Sequence, residues 1–220
     1  MSKHLFNDMS KLERRLLDLG ARVENAVRKS IRALEARKSD CAKEVIEGDS
    51  AIDQAEVELE EECLKILALH QPVATDLRFV AACLKINSDL ERIGDLAVSI
   101  AERAKSFDRI LCFPLPKDLA PMTEATTGML RKALDSFVKS DVELARRVLV
   151  EDNVVDDYNR DIIASMVKRM HKDPAHIDNA LLFLSASKNL ERIADHATNI
   201  AEDVIYMVEG DIVRHLGSDI

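Results

Sequence analysis

Residues 90–102 read LERIGDLAVSIAE and residues 190–202 read LERIADHATNIAE. Nine of these thirteen positions are identical at an offset of 100 residues, the signature of an internal repeat. In both copies apolar residues recur three and four apart. The first set is Ile86, Leu90, Ile93, Ala97, Ile100 and Ala104; the second is Ala186, Leu190, Ile193, Ala197, Ile200 and Val204. That is the period of a helix with one buried face. Upstream, residues 44–53 find a weaker echo at 147–156, and Pro72 and Pro174 occupy equivalent joints.

The composition agrees. Six Gly and five Pro in 220 residues fall well short of the average usage of about 12%. Residues 129–173 and 175–209 contain neither, so they read as long helices. The spacing predicts helices near 7–36, 39–69 and 73–107, then near 118–139, 141–171 and 175–209. Segment 108–121 holds three prolines, which interrupt helices, and reads as the connection between halves. The expected fold is all-α: a tandem repeat of two antiparallel three-helix bundles, with residues 1–112 forming the first and 113–220 the second.

Lys and Arg number 31 against 40 Asp and Glu, a net charge of −9. This disfavours nucleic acid as a partner, which needs a basic footprint, and favours basic surfaces or cations. No apolar run approaches the ~18 residues of a membrane span, and the first residues lack a signal-peptide core, so a cytoplasmic location is expected. The cysteines, at 41, 63, 83 and 112, form no CxxC and read as small core residues.

Each half also carries two acid pairs at i, i+4: Asp49/Asp53 and Glu91/Asp95, then Asp152/Asp156 and Glu191/Asp195. On one helix face such pairs repel by a few tenths of a kcal/mol, about 0.2–0.5 each. A hard or borderline cation would reverse the sign, since carboxylate oxygens are its ligands. Glu91 and Asp95 fall roughly opposite the apolar stripe at ~100° per residue. A shared metal would therefore lie at the outer edge of a bundle. The plainer alternative is a solvated acidic face with local ion pairs to Arg92 and Arg192.

No Glu has a His three residues later, which a ferritin-like di-iron site would need, and no Walker loop, Gly-x-Ser-x-Gly or HExxH is present. His196 reads as a half-exposed helix residue, and His171 and His176 as solvated. Asp76-Leu77-Arg78 opens the helix after Pro72. It reads either as an acid placed well in a helix dipole or, with Arg92 and Arg192, as a partner contact. Gly94 is a helical glycine where the other half has Ala194.

The stretches Glu47 to Asp53, Gln71 to Arg78 and Leu90 to Asp95, with Asp152 to Asp156 and Leu190 to Asp195 in the second half, resemble the PhoU family of phosphate-signalling regulators. The Asp76-Leu77-Arg78 element is not duplicated; the second half has Asp173-Pro174-Ala175-His176-Ile177-Asp178 there. The resemblance implies two similar three-helix bundles. It further implies a non-enzymatic, cytoplasmic homodimer without a membrane span of its own, tied to the membrane through partners. These are the ATPase subunit of the phosphate ABC transporter and a sensor histidine kinase. Such an adaptor represses the phosphate-starvation response and phosphate uptake. By position, the resemblance implies metal ions (iron, zinc, manganese or magnesium) on Asp49, Asp53, Glu91 and Asp95, and on Asp152, Asp156, Glu191 and Asp195. The alternatives are a carboxylate-bridged metal-dependent enzyme and a metal-stabilised storage or structural module.

Overall fold

The structure is a computed structural model and describes residues 3–36, 39–106 and 113–211. Six long helices carry almost all of them: α1 (Lys3–Ala36), α2 (Ser39–His70), α3 (Ala74–Ser106), α4 (Leu119–Lys139), α5 (Val142–Lys172) and α6 (Ile177–Glu209). Among the described residues there is no strand. The helices follow the expected spans, with α1 starting a turn earlier. The expected boundary after residue 112, and residues 108–112 of the proline-rich connection, lie outside the described residues, as does Cys112.

The first three helices pack on one another, as do the last three. All twelve positions of the two apolar stripes are buried. The joints are where the breakers act. Between α2 and α3 the chain turns through left-handed Gln71 and Ala74, flanking Pro72 and Val73. Between α5 and α6 it passes through a single 3₁₀ turn, Pro174–His176, in which the Ala175 amide donates to the Asp173 carboxylate at 3.3 Å. Pro121 is not part of the connection as expected. It lies in the first turn of α4, where the missing N–H costs nothing because the carbonyl four residues back, that of Lys117, lies outside the helix. α4 closes on Ser140 in the left-handed conformation, and Asp141 caps α5 by accepting from the Leu144 amide at 2.9 Å.

The halves join by α3 against α6, with α1 against α4 beside them. At the second contact a Cβ on Gly20 would stand 2.5 Å from Leu134 Cδ1. Glycine there lets the two helices approach. The ring of Phe79 stacks on Phe137 across the same divide, centroids 5.4 Å apart.

Candidate functional site

Along α2 the stripe Asp49, Asp53 and Glu56 steps by four and three residues. Along α3 the stripe Asn87, Glu91 and Asp95 steps by four. The helices run antiparallel, and the register is set by an observed contact: Asn87 Nδ2 donates to the Glu56 carbonyl at 2.9 Å and to its Oε1 at 3.3 Å. In that register Asp53 faces Glu91, and Asp49 faces Asp95. Gly94 supports the last pairing, since a Cβ placed on it would lie 3.8 Å from Asp49 Oδ1. The two acid pairs of the first half thus share one groove. The second half repeats the arrangement between α5 and α6, with Asp152 across from Asp195, Asp156 across from Glu191, and Asn159 bonded to Ser187 at 2.8 Å.

The electrostatics follow from the convergence. Burial first, then the charges of Asp53 and Asp95, hold the Asp49 carboxyl above its ordinary value. Glu91 is raised by burial and by Asp95, against a smaller opposing effect of Arg92. In the second half burial, then Asp156, Asp195 and Glu191, push Asp152 up to about 6. Asp195 is raised by burial and Glu191, with Lys188 opposing. Each cluster also contains a buried carboxylate oxygen without a hydrogen-bond donor, Asp49 Oδ1 and Asp152 Oδ1. Leaving such an atom unsatisfied is costly.

Among the described residues no three His, Cys, Asp or Glu side chains are drawn together closely enough to hold a metal ion as they stand. The donor chemistry nevertheless fits a hard cation. The groups are all-oxygen, paired across two helices, mutually repelling and short of donors. Asp49, Asp53, Glu91 and Asp95 would hold it in one half, and Asp152, Asp156, Glu191 and Asp195 in the other. The acid pairs of each half face each other across one groove, but among the described residues no three of them meet closely enough to share an ion.

The remaining candidates have other partners. Arg92 lies along the Glu91 carboxylate at 3.5 Å, while Arg192 is exposed on the matching turn. Arg78 reaches the other half: its Nε donates to the Met207 carbonyl at 3.0 Å, beside left-handed Gly210. It caps the C-terminus of α6, where a cation suits the helix dipole. Asp76 is half-buried in the first turn of α3. His171 is exposed as expected, but His176 is half-buried, lies 5.7 Å from the Phe113 ring and meets Asn179 at 3.1 Å. Cys63 and Cys83 are buried in the core and Cys41 is half-buried. Burial raises the Cys63 thiol to about 12 and Cys83 well above its usual value, so both are unreactive.

The α3–α6 seam was not legible in the sequence. His196 Nδ1 meets Asp89 Oδ1 at 2.8 Å, and Asn199 donates to the same oxygen at 3.4 Å. Asn189 donates to Ser99 at 3.2 Å, and Lys85 pairs with buried Asp203 at 2.8 Å. The contacts 89–199 and 99–189 are images of each other under the 100-residue offset. The seam is therefore a pseudo-twofold, antiparallel helix pair. The one available signal was the change from Leu96 to His196. Glu56 was missed too, although it continues the Asp49/Asp53 stripe one turn on, because it follows Asp53 by three residues and not four.

The PhoU domain model matches this chain twice, at residues 16–104 and 119–204. A phosphate-specific transport system accessory protein PhoU from Serratia marcescens is 36% identical over 223 aligned positions, covering 100% of this chain and 92% of the relative. The crystal structure of PhoU from Pseudomonas aeruginosa superposes with a TM-score of 0.89 at 37% identity, covering 93% of this chain and 99% of that one. That of a phosphate transport system regulatory protein PhoU from Streptococcus pneumoniae superposes at 0.88 with 29% identity, covering 95% and 99%. With a doubled domain match, full-length relatives and the same six-helix fold, the chain belongs to the PhoU family.

Proposed function

We propose that this protein is a non-enzymatic accessory of phosphate transport that holds phosphate uptake and the phosphate-starvation response down when phosphate is plentiful. Whole-length similarity to named PhoU accessory proteins carries this reading. It acts in the cytoplasm, as a homodimer, between the ATPase subunit of the phosphate ABC transporter and a sensor histidine kinase. Among the described residues no helix is long and apolar enough to cross a membrane, which fits a protein reaching the membrane through partners. Deleting the gene is expected to derepress phosphate-responsive transcription and uptake in phosphate-rich medium, with capture of the ATPase subunit by the tagged chain as the partner test. Unchanged transcription and uptake in the deletion strain would overturn the reading.

The acid clusters belong to this reading as cation sites that stabilise each helix pair. A bound divalent ion supplies the positive charge that the facing carboxylates lack. Asp49 and Asp53 on α2, with Glu91 and Asp95 on α3, would supply its oxygen ligands in the first half, and Asp152, Asp156, Glu191 and Asp195 would do so in the second. The donor-free Asp49 Oδ1 and Asp152 Oδ1 are the observation favouring this over a merely solvated face. Because binding to the folded state alone raises stability, adding Mn²⁺ to chelator-treated protein is expected to raise its melting temperature. The Asp49→Asn/Asp152→Asn variant is expected to lose most of that rise.

A further inference from the structure

The groove between α1 and α2 is bridged by a ladder with a seven-residue step. Arg15 faces Glu58 at 4.0 Å, Arg22 reaches the Ala51 carbonyl at 3.5 Å, and Lys29 pairs with Glu44 at 2.9 Å. The outer rungs are base to acid. At the middle rung the acid is missing, and among the described residues Arg22 has no ion pair. In that register Asn25 stands across from Gly48, between the last two rungs. Arg22, Asn25, Lys29 and Gly48 line one cavity of about 210 Å³. Gly48 lies inside α2, where a glycine weakens the helix. A Cβ placed on it would meet nothing within 4 Å, so no close packing against the rest of the chain calls for a glycine there.

The second half shows what fits such a place. The buried positions of α4 and α5 match those of α1 and α2 at an offset of 103 residues, Leu119 with Leu16 and Val155 with Ile52. At that offset Lys132 answers to Lys29 and Glu151 to Gly48. The Glu151 carboxylate pairs with the Lys132 ammonium. The second groove thus carries an oxyanion of its own at the place the first leaves open. Two changes accompany the loss of that carboxylate. Arg22 stands where the second half has Ala125, and Asn25 where it has Gly128. The first groove therefore gains two donors, one of them charged, and has no acid over Gly48. Lys29 is matched by Glu44, which leaves Arg22 as the uncompensated charge.

We propose that the α1–α2 groove of the first half binds a small oxyanion ligand, a phosphate or a carboxylate, seated over Gly48. The Arg22 guanidinium donates to its oxygens, a task its planar fork suits. The Asn25 amide donates a further bond, and Lys29 adds charge from the next rung. Glycine at position 48 leaves the room that the Glu151 side chain takes in the second half. Ala26, Val45 and Ile52 complete the cavity wall, which suits a short apolar body on the ligand. The site goes beyond the role in phosphate transport and is independent of the acid pairs, which α2 shares with α3 and not with α1.

The test is NMR titration of the isotope-labelled full chain with inorganic phosphate and, separately, with butyrate, at fixed ionic strength. Saturable shifts of the Gly48 amide and of the Arg22 Nε–H are expected with at least one of the two. Saturation by phosphate alone marks a phosphoryl ligand, and saturation by butyrate alone a carboxylate one. Arg22→Gln should weaken binding about 10-fold, the scale of one lost charge-assisted hydrogen bond. Gly48→Glu installs the carboxylate with which the second half already folds, and should abolish the shifts. Arg14→Gln removes an exposed arginine that does not line the cavity and should leave binding unchanged. No saturable shift with either probe would overturn the proposal, as would shifts that Arg22→Gln or Gly48→Glu leaves unmoved.

Discussion

The third helices and the groove faces of the two bundles correspond position by position, and the two sets diverge by place. At the buried stripe the copies are interchangeable in kind, Leu90 for Leu190 and Ile93 for Ile193, all fully buried. At the groove they part: Glu56 against Asn159, Asn87 against Ser187, Ser88 against Lys188, Gly94 against Ala194. At the seam they part again, with Leu96 against His196 and Asp89 against Asn189. A core position answers only to volume and burial, so the repeat keeps its apolar character even where the residue changes, as from Ile86 to Ala186. A groove position answers to charge, which one substitution can change without disturbing the packing. The two bundles therefore share a scaffold and differ in the electrostatics they present.

The largest effects should show the halves as equals. Leu90→Ala and Leu190→Ala are each expected to destabilise by about 3 kcal/mol, the usual cost of emptying a buried leucine site, measured by urea unfolding. A cost in one half less than half of that in the other would break the claim of equivalent cores.

Next comes the groove charge. With metal chelated, the stability contributed by an acid raised in the fold is complete below its unfolded value and is lost as pH rises through its folded value. For Asp152 that window runs from 3.8 to about 6, and Asp49, Glu56, Glu91 and Asp195 share the sign. The chelated protein should therefore melt higher at pH 5 than at pH 8. Asp152→Asn should raise the pH 8 stability by about 1 kcal/mol, the shift discounted for partial solvent screening, and flatten the pH dependence. Thermal melts that rise monotonically from pH 5 to pH 8 would contradict this. Asp49→Asn should act in the same direction by less.

The smallest effect separates Gly94 from Ala194. Ala194→Gly is expected to cost about 1 kcal/mol in helix propensity. Gly94→Ala should gain less than that, because its Cβ would meet Ile52 Cγ2 at 3.3 Å and the isoleucine must yield. A full 1 kcal/mol gain on unfolding in denaturant would mean that the glycine has no packing role.

How much could be read beforehand differs by feature. The six helices were legible from the stripes and the scarce breakers, since helix period is local. Pro121 was misplaced because a proline in the first turn of a helix and one in a linker look alike in sequence. The eight acids were legible as pairs, but their meeting across α2–α3 and α5–α6 depends on helix register. That register is fixed by contacts such as Asn87 with Glu56. Glu56 itself became visible only once Asn87 placed it.

The sequence alone determined what depends on neighbours along the chain: helix spans, buried faces, the repeat and the like-charged pairs. Only the tertiary structure decided what depends on neighbours across it. Arg78 caps α6 of the other half, His196 joins Asp89 across the seam, and one groove ends in a closed polar pair while the other ends beside an unbonded amide oxygen. The reason is one of range. A helix is specified within four residues by its own hydrogen bonds, whereas the partner of a side chain is set by which distant face the core packs against it.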